Sequence, residues 1–224
     1  MIQLFWLRTD LRIADNTALS QALSNGPTVA VYLITPQQWL AHDDAPCKVD
    51  FWLRNLACLR EQLGKLNIPL LIRNCADWQQ APVTLLQLSQ QIGAGAVHCN
   101  AEYGIHETRR DQACSSLLEP QGIAFTAHFD QLLLKPGSVL TQSGNYFQVF
   151  SQFRKVCYQR LHLSLPACLP YPTAQAALPV SSDELPAGVS EFAPPDAALR
   201  QLWPAGEAAA QQRLQQFAEQ HMDA

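Results

Sequence analysis

The sequence predicts an α/β protein built on a doubly wound, five-stranded parallel sheet. Three observations point there: five short apolar runs rich in β-formers, helical periodicity in each of the four intervals between them, and glycines where those helices should stop. The first strand is IQLFWL, from Ile2. A helix over Asn16–Leu23 follows, opening on a residue type whose side chain accepts a free N–H of the first turn, and Gly26 lies beyond its end. The second strand is TVAVYLI, from Thr28, and the helix after it spans Pro46–Leu66, with Val49, Leu53, Leu56, Leu59 and Leu63 at spacings of three and four. The third, PLLIRN from Pro69, leads to a helix over Thr84–Ile92 that Gly93 stops. The fourth, AVHCN from Ala96, leads to a helix over Tyr103–Leu118 with Gly122 after it, and IAFTAHF from Ile123 is the fifth strand. Gly26, Gly93 and Gly122 are expected to be left-handed caps. Nearly continuous apolar strands alternating with helices require a sheet covered on both faces, so residues 1–128 read as one domain.

Past Phe129 the alternation ends. Residues 129–195 read as loop and turn, a short amphipathic helix over Val149–Leu161, and then a stretch holding Pro166, Pro170, Pro172, Pro179, Pro186, Pro194 and Pro195, which suits a linker lying over a surface. Residues 196–224 turn helical again. Leu214 and Phe217 form a sparse apolar face there that needs a partner surface, so a second domain is expected to begin in this segment.

Composition narrows the function classes. A net charge of −4 and a pI near 5.8 exclude the strongly basic footprint of an autonomous nucleic-acid binder. Seven cysteines without a Cys-x-x-Cys pair favour a reducing cytoplasm over a disulfide scaffold and leave no expected metal site. No signal peptide and no membrane span is expected, so the reading is a soluble cytoplasmic protein. The Gly-x-Gly of QIGAGAVHCN precedes a strand, whereas a dinucleotide-binding turn must follow one. His106-Glu107 lacks the second histidine of a metalloprotease helix, because that position is Arg110. No Walker loop and no Gly-x-Ser-x-Gly elbow occurs, and no catalytic residue is expected in this chain.

Two polar stretches remain. WLRTDLRIADN puts Arg8, Asp10, Arg12 and Asp15 just after the first strand's carboxyl end, where open α/β sheets bind ligands. Arg8 and Asp10 serve a ligand there, or they pair locally while Asp15 or Asn16 caps the next helix. NAEYGIHETRRD, residues 100–111, offers Glu107 either as a ligand contact or as an exposed acid favoured by the dipole at the start of its helix.

The segment FWLRTDLRIADNTAL resembles the opening of DNA photolyases and cryptochromes. DQLLLKPGSVLTQSGNYFQVFSQF, Asp130–Phe153, is similar to the segment after that family's sheet, and WPAGEAAAQQRLQQF resembles the entry into its flavin domain. The chain resembles most the bacterial folate-binding photolyases that repair cyclobutane pyrimidine dimers. The resemblance implies an antenna-binding α/β domain (1–128), an interdomain linker (129–195) and the start of a FAD-binding helical domain (196–224) that this chain does not complete. It implies light-driven repair by the full-length protein, with 5,10-methenyltetrahydrofolate as antenna, FAD held by the C-terminal domain, and damaged DNA contacted only through that domain. The family's flavin-binding run is expected soon after Phe217 and does not occur before Ala224, so this chain alone is expected to be catalytically inactive, and the surface left uncovered favours self-association. The electron-relay tryptophans also belong to the absent part, so Trp6, Trp39, Trp52, Trp78 and Trp203 read mostly as packing residues.

In folate-binding relatives an Asn-Glu pair after the fourth strand contacts the pterin. The resemblance puts His106 at the Asn and Glu107 at the Glu, with Arg8 and Asp10 as secondary candidates. A carboxylate suits the pterin's ring N–H and exocyclic amine, which together form a parallel donor pair. His106 departs from the pattern, because an imidazole lacks an amide's paired donor and acceptor. Ser151-Gln152, where relatives have Thr-Pro, and Cys157, where many have tryptophan, read as drift in packing. Two other readings stay open: a cryptochrome-type photoreceptor fragment and a free-standing folate- or nucleotide-binding α/β module.

Overall fold

The computed structural model describes residues 1–222. Its centre is a parallel sheet of five strands, β1 (Ile2–Leu7), β2 (Thr28–Ile34), β3 (Leu70–Asn74), β4 (Ala94–Asn100) and β5 (Ala124–His128), in the order β3-β2-β1-β4-β5. The helices of this domain are α1 (Thr17–Asn25), α2 (Pro36–Ala41), α3 (Pro46–Lys65), α4 (Ala81–Ile92) and α5 (Ile105–Leu118). Alternation along each inner strand divides the core in two. Phe5, Leu7, Ala30, Tyr32 and Ile34 pack with Leu19, Ala22, Leu56, Leu59 and Leu63 of α1 and α3. Leu4, Trp6, Val29, Val31 and Leu33 pack with Leu85 and Leu88 of α4 and Cys114 and Leu118 of α5. Both faces of the inner strands are thus out of water, as their uninterrupted apolar sequences require. The chain winds from β1 outward to β3 and then returns to the other side of β1, so the winding reverses between β1 and β4.

Several boundaries differ from expectation. β4 starts at Ala94, two residues early, because Ile2 pairs with Ala94 across a register shift. α4 starts at Ala81 with a proline in its first turn, and α5 at Ile105, after Gly104. α2, absent from the expected elements, is six residues long, too short for a periodic signal. Asn16 caps α1 by accepting from Leu19 N–H. Gly93 and Gly122 are left-handed, at φ 67° and 74°, but Gly26, at φ 158° and ψ −174°, lies outside the left-handed helical well in a region that glycine alone enters readily. Glycine is needed at position 26 for room: a Cβ there would lie 2.9 Å from the Met1 carbonyl oxygen. Gly26→Ala is expected to lower stability by about 1–2 kcal/mol, seen as a lower thermal midpoint.

The residues after β5 wrap the domain. A helix, α6, runs over Phe150–Leu163, slightly beyond the expected range. The proline-rich stretch forms no helix. It runs along the free edge of β3, where Ser182 Oγ accepts from Leu70 N–H, Asp183 Oδ2 accepts from Ile72 N–H, and Asp183 N–H donates to Leu70 C=O. An exposed strand edge would otherwise present these groups to other chains. Phe192 anchors the far end, buried edge-on against Trp39 at 5.9 Å. Two more helices follow, α7 (Ala197–Leu202) and α8 (Glu207–His221). They dock on α3: Arg200 pairs with Asp50, Arg54 Nη1 donates to Trp203 C=O, and Gly206 N–H donates to Asn55 Oδ1.

Buried His98, paired with half-buried His128, gives the domain a pH dependence. His98 lies stacked on His128, with Nδ1 2.9 Å from His128 Nε2 and Nε2 3.0 Å from Gln3 Oε1. The amide oxygen only accepts, so His98 Nε2 carries its proton and Nδ1 accepts from His128. Burial, and then the neighbouring His128, push the His98 pKa down from the ordinary 6.5 to about 4. Between those two values the unfolded chain takes up a proton that folded His98 refuses. Stability should therefore fall as pH drops from about 6.5 to about 4. In urea titrations the advantage of wild type over His98→Gln should shrink across that window.

Candidate functional site

A cavity of about 160 Å³ opens above the carboxyl ends of β1, β2 and β4, beside the reversal between β1 and β4. Ligands of doubly wound sheets bind at this position because the loops after neighbouring strands diverge there. β1 and the loop after it supply Trp6, Leu7, Arg8 and Thr9, and β2 and the residue after it supply Tyr32, Leu33 and Thr35. α2 and α3, with the turn between them, add Trp39, His42, Asp44, Lys48 and Trp52. Trp78 comes from the β3–α4 loop, and Glu102, Glu107 and Arg110 from the segment after β4.

Trp6 and Trp39 are buried in the two cores and Trp52 packs against the core on its side, and with Trp78 these packing residues also line this one cavity. Their faces carry cations: the Arg110 guanidinium lies 4.8 Å from the Trp6 ring centre and 4.7 Å from that of Trp78, Arg8 lies 5.1 Å from Trp6, and Lys48 lies 4.8 Å from Trp52. Guanidinium and ammonium groups are drawn to the negative faces of indoles, and here that attraction fixes the walls. At the mouth, His42 packs edge-on to Trp78 at 5.2 Å and lies 6.0 Å from the His106 ring.

The charges beneath form a closed network. Arg8 Nη1 donates to both carboxylate oxygens of Asp111, at 2.8 and 2.9 Å. Arg110 donates through Nε and Nη2 to Asp111 Oδ1, and Nη2 also reaches Glu102 Oε2 at 2.9 Å. Thr9 Oγ1 donates to Glu102 Oε1. Burial works to raise the Glu102 pKa, but Arg8 and Arg110 outweigh it and hold the carboxyl below its ordinary value. Arg8 Nε and Nη2 are buried without hydrogen-bond partners among the described residues, with Nε 3.5 Å from Glu102 Oε2.

The expected site residues fall in different places. Glu107 lines the cavity, half-buried on the first turn of α5, and its carboxylate lies over Gly104. Among the described residues that carboxylate has no hydrogen-bond or ion-pair partner, whereas Glu102 and Asp44 are engaged by Arg110 and Lys48. His106 is exposed at the mouth. Arg8 lines the cavity, but its guanidinium is bound to Asp111, not to Asp10. Asp10 is not a lining residue: its Oδ1 accepts from Arg8 N–H and its Oδ2 from Asn100 Nδ2, so it shapes the loop after β1. The arrangement holds no group of three metal-ligating side chains among the described residues. It offers aromatic walls and, among the described residues, one unpaired carboxylate, a set suited to gripping a flat heteroaromatic ring with donor groups along one edge.

Comparison with known proteins identifies what the chain is similar to. The family model described as DNA photolyase matches residues 3–173. The deoxyribodipyrimidine photo-lyase of Vibrio cholerae is 43% identical over 69% of this chain and 33% of its own length. That of Salmonella typhimurium is 32% identical over 98% of this chain and 46% of its own length. The crystal structure of the Synechocystis cryptochrome superposes on the whole chain with a TM-score of 0.80 and 26% identity, covering 47% of that protein. The chain spans half or less of the length of each of these relatives.

Proposed function

The chain belongs to the DNA photolyase family, and on that premise we propose that its α/β domain is the antenna-binding part of a deoxyribodipyrimidine photo-lyase, with 5,10-methenyltetrahydrofolate as the antenna. The observation that carries this reading is the Glu107 carboxylate, unpaired on the wall of a cavity lined by four tryptophans. When bound, such an antenna absorbs light and passes the excitation to a reduced flavin, which splits the pyrimidine dimer by electron donation. The work of this chain is binding and orientation, since an antenna must be held at a fixed angle to its acceptor.

The donor set fits a pterin. A carboxylate accepts two parallel N–H bonds, and neither oxygen of Glu107 has a hydrogen-bond partner among the described residues. A cavity near 150 Å³ holds about one benzene ring, so 160 Å³ admits one ring of the bicyclic pterin while the remainder of a folate stays outside. Half-buried Trp52 and Trp78 supply the stacking surface, and His106 at the mouth offers a ring face or one hydrogen bond. Asp10 contributes indirectly, through the backbone at Arg8. In the full-length protein, residues 129–195 are the interdomain linker and residues from 196 begin the FAD-binding helical domain, which alone meets damaged DNA in the cytoplasm. The likeness to a cryptochrome over the whole chain supports a second reading, light signalling, in which the same cavity holds the antenna.

Titrating methenyltetrahydrofolate into the chain, followed by its fluorescence anisotropy, should give saturable binding at one site. A flat response, with saturable binding of a flavin instead, would move the assignment to another antenna. Gly104→Ala provides a geometric control. A Cβ there would lie 2.0 Å from Glu107 Oε2, so the flexible carboxylate must swing away. The variant should bind folate about tenfold more weakly while unfolding like wild type.

A further inference from the structure

The loop after β1, residues 8–16, brings Arg8 and Thr9 to the cavity, yet the sheet alone does not hold it. Part of its support comes from distant segments. Arg12 Nη2 donates to Asp130 Oδ2, beyond β5, and Asp15 Oδ1 accepts from Leu169 N–H in the linker. The third tie spans the greatest distance in sequence. Glu207, the first residue of α8, accepts from two consecutive backbone N–H groups: Oε2 from Ile13 at 3.0 Å and Oε1 from Ala14 at 3.1 Å. Ile13 is in turn fully buried in the core between the sheet, α1 and α3.

Glu207 is itself held from behind. Gly206, at φ 100°, donates its N–H to Asn55 Oδ1, and a Cβ there would lie 3.3 Å from both the Cβ and the Sγ of Cys58. Arg54 on the same helix, α3, binds the Trp203 carbonyl. The start of α8 therefore has a fixed place on α3, and from that place one carboxylate reaches across to the cavity loop.

We infer that Glu207 is a positioning residue for the chromophore cavity: it clamps the loop that presents Arg8 and Thr9, and so couples the docking of α8 to the shape of the site. The coupling rests on the chromophore reading above, whereas the clamp itself does not. Coupling between two sites is reciprocal, so a molecule that binds the ordered cavity should also tighten the docking of α8.

Amide hydrogen exchange on the full chain tests the inference with wild type, Glu207→Ala and Glu207→Gln. Removal of two charge-assisted bonds should speed exchange in residues 8–16 by about tenfold or more. Exchange in β2 and α4 should stay unchanged, which separates local release from global unfolding. Glutamine fills the same volume but points a donor at one of the two N–H groups, so it should fail to restore protection; a residue needed only for packing would be rescued by it. Both variants should bind methenyltetrahydrofolate about tenfold more weakly, and folate should slow exchange at residues 203–210 in wild type only. Unchanged exchange in residues 8–16 of Glu207→Ala would overturn the clamp. Faster exchange with unaltered folate affinity would overturn the coupling to the site. Faster exchange in a protein whose wild type binds no folate would instead sink the chromophore reading and leave the clamp standing.

Discussion

Replacing Glu107 by alanine is expected to weaken methenyltetrahydrofolate binding by about 10- to 100-fold, the equivalent of one or two hydrogen bonds to a charged acceptor. Glu107→Gln should lose nearly as much, because its amide turns a donor toward a donor. Neither change should affect folding by more than about 0.5 kcal/mol, since the carboxylate has no partner among the described residues to leave stranded. Isothermal titration alongside urea denaturation separates the two effects. Equal affinities in wild type and Glu107→Ala would remove this residue from the contact surface.

Asp111 should behave in the opposite way. Its carboxylate receives two bonds from Arg8 and two from Arg110 in a region closed to water. Asp111→Ala leaves two buried guanidiniums facing Glu102 alone. Removing one partner from a buried ion pair costs about 3–5 kcal/mol, a large part of the stability of a domain this size. The urea midpoint should drop accordingly, and Arg8, released from Asp111, should lose its fixed place on the cavity lining. A drop below about 1 kcal/mol would show that Arg110 and Glu102 suffice to hold the network.

These contrasting roles explain which parts of the molecule could be read from sequence. All five strands and the four longer helices of the α/β domain were readable because each has its own periodicity or apolar run, together with a stop signal. α2 carries no sequence signal because six residues hold too little periodicity, and the conformation of Gly26 is not legible because steric room at the Met1 carbonyl is a tertiary fact. The cavity was only partly visible. Arg8 and Glu107 follow strand ends, where position alone is informative, and Glu102 and Trp78 could have been picked out on the same ground. Trp39 and Trp52 sit on helices, where a buried aromatic residue usually means core, and only the folded chain brings them to the same cavity as Trp78. The partners of Arg8 were hidden for a similar reason. Asp10 is near in sequence, but it is Asp111, on α5, whose side chain meets the guanidinium. Nor does a proline-rich segment announce that it will cover the edge of β3, since the need arises only once that strand is outermost.

The most direct test is a crystal structure of the chain with methenyltetrahydrofolate bound. The pterin should lie in the cavity above β1, β2 and β4, between the tryptophan walls, with its ring N–H and amino group on the two oxygens of Glu107. A folate seated elsewhere on the domain, or a pterin in the cavity with Glu107 turned away from it, would contradict this account.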